Sequence, residues 1–444
     1  MNRYLPGLAF LTFMLQAVIE GMRWQLIPIY TLVVLFLMFS IPFLQRITFK
    51  KIRLKKMGYI VMISFIVISL LFTYAFPVYK MPVPKGKYEV GTVSFDLIDV
   101  NRNAIYSDDL SNNRKVKMQV WYPAEDVKGY EQVPWLGENP KAVAEGISSM
   151  MGFPKFILSH TALVMSNSYE DAPIIEGKDS LPVVIISHGW TGFSNVHADV
   201  AELLASHGYI AISIDHTYGS AVTVFNDGEV AYVNENALPE REITPNYLEY
   251  ANKLVRTFAG DILLTLNTLE DLNEVDSKFE NKLDLSNIGL IGHSTGGGAS
   301  VYTALNDDRV KAVLGMDAWV EPIQKNNLEA GLQVPSLFLR SYEWEEGRNN
   351  ENLFILLDEN RTPTELFQIN GTGHQDFSMI YMYSPLSKYF QITGELDGRE
   401  GAAMQHDFIL NFFDLYLKGN ADKSVDEVSK QYEAVEKIYS KTKN

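Results

Sequence analysis

The amino-acid sequence predicts an α/β fold, a mostly parallel β-sheet with helices on both faces, preceded by transmembrane helices. Three observations lead to this prediction. The first eighty residues are strongly apolar and contain a single acidic residue, Glu20. After residue 180, short apolar strand-like runs alternate with longer helical stretches, the pattern of a sheet covered on both sides. Between one such strand and the next helix lies a Gly-x-Ser-x-Gly motif, residues 292–296.

Composition and charge exclude several classes of protein. The 444 residues contain no cysteine, which excludes disulfide bridges, a thiol nucleophile and thiolate metal sites. The chain carries 38 Lys or Arg and 54 Asp or Glu, and the part beyond residue 80 is strongly acidic, so it repels nucleic acid. No His or carboxylate cluster has metal-ligand spacing and no nucleotide-phosphate loop is evident. We therefore expect neither a metal nor a cofactor.

Three uncharged apolar runs occupy residues 1–80. Residues 26–44 and 57–76 are long enough to cross about 30 Å of hydrocarbon as helices. Residues 5–19 form a shorter run that is marginal for spanning, and a signal peptide is the alternative interpretation. Buried helices of a soluble protein are a further alternative. Because no small-residue cleavage site precedes Glu20, we predict an anchor of two or three transmembrane helices.

The connection between the second and third apolar runs is rich in basic residues: Arg46, Lys50, Lys51, Arg53, Lys55 and Lys56. By the positive-inside tendency this connection is cytoplasmic. The third span then delivers the chain from residue 78 onward to the outer side. We therefore predict a multi-pass protein of the cell membrane, with its large domain on the extracytoplasmic side.

The outer part begins with strand-like sequence and continues with an apolar segment. Residues 87–123 have strand-like alternation, interrupted by a predicted turn at residues 107–113. Residues 139–168 are apolar and partly helical. They fit a lid, a patch that lies on lipid or lines an acyl site, or ordinary core, and these alternatives stay open.

Strands and helices then alternate. We predict strands at residues 182–186, 209–214, 288–291, 310–316, 336–339 and 365–369, and helices at 198–207, 247–272 and 401–417. In sheets of this kind the functional site lies at the carboxyl ends of the strands. Residues 421–444 are charged and are predicted to form a helical tail.

The Gly-x-Ser-x-Gly motif centres on Ser294. An apolar strand precedes it and small residues follow, which is the context of a nucleophile elbow. The flanking glycines allow a tight turn that exposes the serine hydroxyl at the end of a strand. Because that hydroxyl is a weak nucleophile, it needs a base, a group that orients the base, and hydrogen-bond donors for the oxyanion.

The order serine, acid, histidine of the α/β-hydrolases selects the other members of a triad. Asp317 ends the strand after the elbow, and His374 lies in a glycine-rich loop after the last predicted strand. Both positions are strand ends, where side chains can converge on Ser294. Asp215, at the end of an earlier strand, is the main competitor of Asp317. Other rivals are less well placed: His406, within a predicted helix, and Asp376, next to His374 in sequence.

The loop at residues 187–192 follows the first core strand and reads Ser-His-Gly-Trp-Thr-Gly. Its position matches the loop that donates the first hydrogen bond to the oxyanion. We predict the backbone N–H groups of Trp190 and Thr295 as the two donors. A strand-ending turn is the alternative role of residues 188–189, and it is compatible with the first.

The chain resembles the plasma-type platelet-activating-factor acetylhydrolases in five segments that keep their order: residues 182–189, 205–209, 292–297, 316–319 and 373–377. The resemblance runs from about residue 85 to residue 417. It implies a calcium-independent serine esterase of the α/β-hydrolase fold that cleaves short or oxidised acyl groups from phospholipid-like esters. The triad carried over is Ser294, Asp317 and His374. Two features depart from the family, namely Trp190, where a smaller apolar residue is common, and the three-span anchor.

We predict substrate-binding roles for three residues within these segments: His293, Trp319 and Phe377. The predicted function is hydrolysis of carboxylic esters through an acyl-enzyme, by an α/β-hydrolase domain at residues 81–420. The predicted partners are an ester or lipid substrate and the membrane, and the oligomeric state stays open. The alternatives are a neutral lipase or polyester hydrolase with the same triad, and a non-catalytic extracellular lipid-binding module.

Overall fold

A computed structural model describes residues 4–38, 40, 55–177 and 180–442. The described strands are β1 (Glu89–Asn103), β2 (Asn113–Ala124), β3 (Gln132–Pro134), β4 (Met165–Glu170), β5 (Leu181–Ser187), β6 (Ile210–Asp215), β7 (Val222–Val224), β8 (Val230–Tyr232), β9 (Leu283–His293), β10 (Val310–Met316), β11 (Ser336–Ser341), β12 (Thr364–Ile369) and β13 (Val435–Lys441). The described α-helices are α1 (Leu5–Ile19), α2 (Ile27–Met38), α3 (Lys55–Ala75), α4 (Pro140–Met150), α5 (Ala198–Ser206), α6 (Tyr247–Val275), α7 (Thr295–Ala304), α8 (Lys325–Leu328), α9 (Arg348–Glu359), α10 (Gly398–Leu417) and α11 (Val425–Ser429).

The large sheet has the strand order β13-β12-β11-β10-β9-β5-β6-β2-β1-β4-β3 within the described residues. Strands β6, β5, β9, β10, β11 and β12 run parallel to one another. At the two ends of this parallel block, β2 and β13 are antiparallel to their neighbours. The predicted α/β fold is confirmed, and each predicted core strand coincides with an observed one to within a few residues.

Helices cover both faces of the sheet because the central strands are apolar on both sides. Val184 and Ile186 of β5 belong to a core cluster that includes Phe408 of α10, whereas Val183 and its alternating neighbours pack on the opposite face with Phe258 of α6. This arrangement leaves the carboxyl ends of the parallel strands as the open edge where loops can form a site.

The predicted helical tail is wrong over most of its length. Residues 435–441 form β13, which pairs antiparallel with β12 and completes that edge of the sheet. Only Val425–Ser429 is helical in the described part of this segment. Charge misled the prediction, since Lys437 is a strand residue that forms ion pairs with Glu365 of β12 (2.9 Å) and Asp426 (2.7 Å). Charged side chains of this kind are common on edge strands.

The amino-terminal helices expose apolar side chains to an unusual extent. Helix α3 is the one described helix long and apolar enough to cross a membrane, with a mean hydropathy of 2.1 over Gly58–Ala75. Leu5–Ile19 and Trp24–Met38 are apolar but shorter. The predicted second span continues past Met38, where only Ser40 of its remaining residues is described, and most of the basic connection predicted to be cytoplasmic lies outside the described residues.

The carboxyl-terminal end of α3 contacts the large domain. Trp24 packs its ring against Phe76 and against Phe156, with centroid separations of 5.3 and 5.4 Å, and its indole N–H donates to the carbonyl of Ile157 (3.2 Å). On the other side, the hydroxyl of Ser384 donates to the carbonyl of Ala75 (2.6 Å). The apolar helices are therefore fixed to two segments of the domain rather than joined to it only by the linker.

Candidate active site

Ser294 occupies a strained turn between β9 and α7. Its φ is 53° and its ψ is −119°, a combination that a residue with a side chain rarely adopts. Three backbone hydrogen bonds hold it. The Ser294 N–H donates to the Met316 carbonyl (3.0 Å), and the Ser294 carbonyl accepts from the N–H groups of Trp319 (2.8 Å) and Gly298 (3.0 Å). A Cβ at Gly296 would lie 2.1 Å from the Ser187 carbonyl oxygen, so glycine is required for this close approach.

Asp317, directly after β10, presents a buried and fully oriented carboxylate. Its Oδ1 accepts from the Ser341 N–H (2.7 Å), and its Oδ2 accepts from the Ser341 hydroxyl (2.6 Å). Oδ2 also contacts His374 Nδ1 at 3.0 Å. With the proton on Nδ1 directed at the carboxylate, Nε2 of His374 keeps its lone pair, which is the tautomer a general base needs.

The His374 ring is held by neighbours that sequence reasoning missed. The Trp344 ring stacks on it at 4.4 Å with an interplanar angle of 5°, and Glu343 accepts a hydrogen bond from the His374 N–H (2.8 Å). Both lie just after β11, between the strands that lead to Asp317 and His374. The sequence feature that could have identified them is their position directly after a strand of the parallel sheet. On its other side, His293 packs with a centroid separation of 4.5 Å.

Ser294 and His374 line one cavity of about 200 Å³. Within the described chain the Ser294 hydroxyl makes no hydrogen bond. The hydrogen bond between a serine nucleophile and its base is often long in the absence of a substrate. The apolar wall comes from three segments, and it comprises Ile147, Met150, Met151, Trp190, Phe193, Val196, Ile380, Tyr383 and Ile392. The apolar segment at residues 139–168 therefore has two roles. Val143 and Ala144 are core residues, whereas the end of α4 lines the cavity.

The loop after β5 approaches the serine closely. A Cβ at Gly189 would lie 2.9 Å from the Ser294 Cβ. The next amides differ in their partners: the Thr191 N–H donates to the Gly219 carbonyl (2.9 Å), whereas the Trp190 N–H has no acceptor among the described residues. Thr295 opens α7, where a backbone N–H has no partner within the helix. Two free donors beside the nucleophile fit an oxyanion hole, and their role stays a prediction.

A substitution at Gly189 tests this arrangement. In Gly189→Ala, the added methyl group must push the loop away from Ser294, and with it the Trp190 amide. We expect kcat for ester hydrolysis to fall by about 10²-fold, the usual cost of losing one oxyanion donor. Steady-state kinetics measure this, and Gly177→Ala, at an exposed glycine with open space around it and no positive φ, is a comparison for general effects of alanine. An unchanged kcat in a folded Gly189→Ala protein would contradict it.

A buried network supports the same loop, and the sequence reading did not find it. Ser187 Oγ contacts His216 Nε2 (2.7 Å), His216 Nδ1 contacts Asp261 Oδ2 (3.0 Å), and Arg114 forms an ion pair with that carboxylate (2.5 Å). Burial raises the pKa of Asp261, but Arg114 and His216 lower it more, so the pKa lies well below its usual range. All four side chains are buried, so the network acts as a scaffold for the loop rather than as a second site.

The rival residues have other partners. Asp215 accepts from the Ser194 N–H (2.6 Å), and burial raises its pKa to about 6. His406 contacts Asp199 at 3.0 Å. Asp376 accepts from the N–H groups of Gly373 and Gly394, at 2.7 and 2.6 Å. Each of these three side chains therefore has a partner other than Ser294 or His374.

The three residues predicted to bind substrate do not lie at one place. His293 lines the same cavity as Ser294 and His374, and its Nε2 contacts the His374 carbonyl (3.0 Å). Trp319 packs beside Tyr247 on the α6 side of the sheet, and Phe377 is 1% exposed within the cluster on the other side. Neither lines the cavity. Both are core residues: Trp319 packs on one face of the sheet, and Phe377, at the end of the helical turn 374–377, packs on the other.

The strand order, the strained serine after a parallel strand and the acid and histidine at later strand ends define the α/β-hydrolase class. Residues 73–435 match the family described as "Platelet-activating factor acetylhydrolase, isoform II". The chain belongs to this family and is an ester hydrolase.

Relatives and a solved structure are consistent with this assignment. The chain is 22% identical over 382 residues to the platelet-activating factor acetylhydrolase of Gallus gallus, covering 78% of this chain and 86% of that one. It is 24% identical over 320 residues to a putative phospholipase A2 of Schizosaccharomyces pombe, covering 60% and 70%. A ferulic acid esterase from Streptomyces cinnamoneus superposes with a TM-score of 0.64 at 21% identity, covering 81% and 99%. At that identity the structural likeness shows the fold.

Proposed function

We propose that this chain is a membrane-anchored serine esterase that cleaves short acyl groups from phospholipid-like esters. The observation that carries the proposal is the contact of His374 Nδ1 with the buried Asp317 carboxylate at 3.0 Å, beside a cavity that Ser294 also lines. A serine in an elbow, a histidine of defined tautomer and a buried acid are the three parts of a hydrolytic triad.

The proposed mechanism proceeds through an acyl-enzyme. Ser294 Oγ attacks the ester carbonyl carbon while His374 Nε2 takes its proton. The oxyanion of the tetrahedral intermediate accepts hydrogen bonds from the N–H groups of Trp190 and Thr295. His374 then protonates the leaving alcohol oxygen as the acyl C–O bond breaks. Water attacks the acyl-enzyme with His374 again as base, which releases the acid and restores Ser294. Asp317 stabilises the imidazolium throughout.

Cavity size and lining support a short acyl group. A volume of about 200 Å³ with Trp190 in the wall has room for a few carbon atoms and little more. Trp190 is the residue that departs from the smaller apolar side chain expected of the family. The names of the relatives, acetylhydrolase and phospholipase A2, support a phospholipid-like leaving group.

We further propose that α1, α2 and α3 anchor the domain in the cell membrane and that residues 81–442 lie on its outer side. Helix α3 carries large apolar side chains with high exposure, such as Ile60 at 63% and Leu70 at 61%. Water disfavours an apolar surface of this extent, whereas a hydrocarbon core accommodates it. The catalytic domain then includes β13, so its end lies beyond the predicted boundary at residue 420.

The experiment is to measure hydrolysis of p-nitrophenyl esters from acetyl to palmitoyl by the full chain in neutral detergent, with labelling by a fluorophosphonate. We expect a steep preference for acetyl or butyryl esters and loss of turnover in step with labelling. A preference for long chains would favour the lipase alternative. A folded protein that neither turns over any ester nor reacts with the probe would favour the lipid-binding module.

A further inference from the structure

A second cavity, of about 350 Å³, lies at the carboxyl-terminal end of α3, and neither Ser294 nor His374 lines it. Its walls come from the end of α3, the linker that follows it and residues 381–399. The side chains that matter are Tyr74, Tyr79, Tyr381, Lys388, Tyr389 and Arg399. Neither the ester chemistry nor the core of the domain requires aromatic and cationic residues at this place.

Lys388 and Arg399 are the cations of this cavity. Among the described residues neither forms an ion pair, although the domain around them is acidic. Each has an aromatic ring beside it, since the Arg399 guanidinium carbon lies 5.1 Å from the centre of the Tyr79 ring and Lys388 Nζ lies 5.4 Å from that of Tyr389. Two unpaired cations that line one cavity are candidates to bind a phosphate group together.

The same cavity also offers groups for a positive charge. Asp397 is the carboxylate in its lining, and its Oδ1 accepts from the N–H groups of Arg399 (3.0 Å) and Glu400 (3.3 Å), which leaves Oδ2 available. Tyr74 and Tyr381, the tyrosines of the lining that are not beside the two cations, provide ring faces that attract an ammonium group. Tyr381 adds a buried hydroxyl that has no hydrogen-bond partner in the described chain.

The position of the cavity determines what reaches it. The Ser384 hydroxyl, in the same lining, donates to the Ala75 carbonyl at the end of α3. Tyr74, Tyr389 and Phe390 are 63%, 71% and 72% exposed there. Aromatic residues at the end of an apolar helix are typical of the membrane–water interface, at the level of the lipid headgroups.

We propose that this cavity binds the headgroup of a zwitterionic phospholipid from the leaflet around α3. Lys388 and Arg399 take the phosphate, and Asp397 with the tyrosine rings takes the ammonium group. The proposal rests on the membrane anchor in the proposed function and is independent of ester hydrolysis. A bound lipid would fix the height and tilt of the catalytic domain on the bilayer.

The test uses the full chain with Ser294→Ala in neutral detergent, titrated with a diether phosphatidylcholine, which has no carboxylic ester bond to cleave. The readout is Tm, because a ligand that binds the folded state raises it. We expect a saturable rise, and in Lys388→Gln/Arg399→Gln a dissociation constant about tenfold higher or more. Lys325→Gln/Arg361→Gln, which removes two exposed cations elsewhere, is expected to respond like the parent protein.

Four results would overturn the proposal. The double variant and its control could respond alike, or a diether glycerol without headgroup could give the same rise. Diether phosphatidylglycerol could match phosphatidylcholine in every protein, which would remove the role of the ammonium group. Glycerophosphocholine alone could saturate the effect at the same concentration, which would identify a soluble ligand. Turnover of p-nitrophenyl acetate by the unsubstituted chain reports the esterase separately, so the two proposals can fail independently.

Discussion

Replacing Ser294 by alanine is expected to lower kcat for p-nitrophenyl acetate by at least about 10⁴-fold, with a small change in KM. The substitution removes the atom that forms the acyl-enzyme while leaving the cavity and the two free amides in place. Binding of the ground state therefore persists, and the chemical step is lost. Labelling by a fluorophosphonate should disappear together with turnover.

A control serine lies six residues further along the chain, within α7. Ser300 is buried in this helix, and its hydroxyl has no hydrogen-bond partner in the described residues. Ser300→Ala also removes one serine hydroxyl and should keep kcat within a few-fold of the parent value. Substantial hydrolysis by purified Ser294→Ala would show that another nucleophile acts and would reject the proposed mechanism.

Replacing Asp317 by asparagine should have the second-largest effect, a loss in kcat of about 10⁴-fold, as is usual for a triad carboxylate. The new NH₂ group would face His374 Nδ1 in place of an acceptor oxygen. It would stabilise the tautomer with the proton on Nε2, which cannot take a proton from Ser294. The Oδ1 contact with the Ser341 N–H can remain, so the fold should survive.

Asp215→Asn provides the comparison for that variant. Asp215 is also buried and was the main competitor for the role of the acid. Its carboxylate accepts from the Ser194 N–H, which an amide oxygen can replace. We expect kcat to change by no more than a few-fold. If Asp215→Asn lost activity and Asp317→Asn kept it, the assignment of the acid would be wrong. Circular dichroism on both proteins excludes unfolding as the cause.

The central fold could be predicted because its signals are local. Each core strand is a short apolar run, and the turn at Ser294 depends on glycines within a few residues of it. Asp317 follows β10, which is adjacent to the strand that precedes Ser294, and His374 follows β12, with β11 between β10 and β12. Placing both residues after parallel strands was therefore enough to bring them to one edge of the sheet. The contact between them agrees with that prediction, and their catalytic role awaits the kinetics above.

The features that were missed depend on contacts between distant residues. The pairing of β13 with β12 joins segments on either side of α10, and its charged residues hid the strand. The Ser187–His216–Asp261–Arg114 network joins four separate elements, and no single stretch of sequence carries it. Trp319 and Phe377 lie near Asp317 and His374 in sequence, but packing decides the direction of each side chain. Proximity in sequence therefore did not predict that both would lie in the core.

The late position of β13 has a consequence for how the protein is made. During synthesis β12 emerges well before residues 435–441, and until they arrive its outer backbone groups remain unpaired. An open edge next to an apolar strand is a template for association with other chains. The loop that carries His374 leaves this same strand, so the proposed base lies beside the last part of the sheet to be closed. The nascent domain is thus most exposed to misassembly in the interval before its final strand is added.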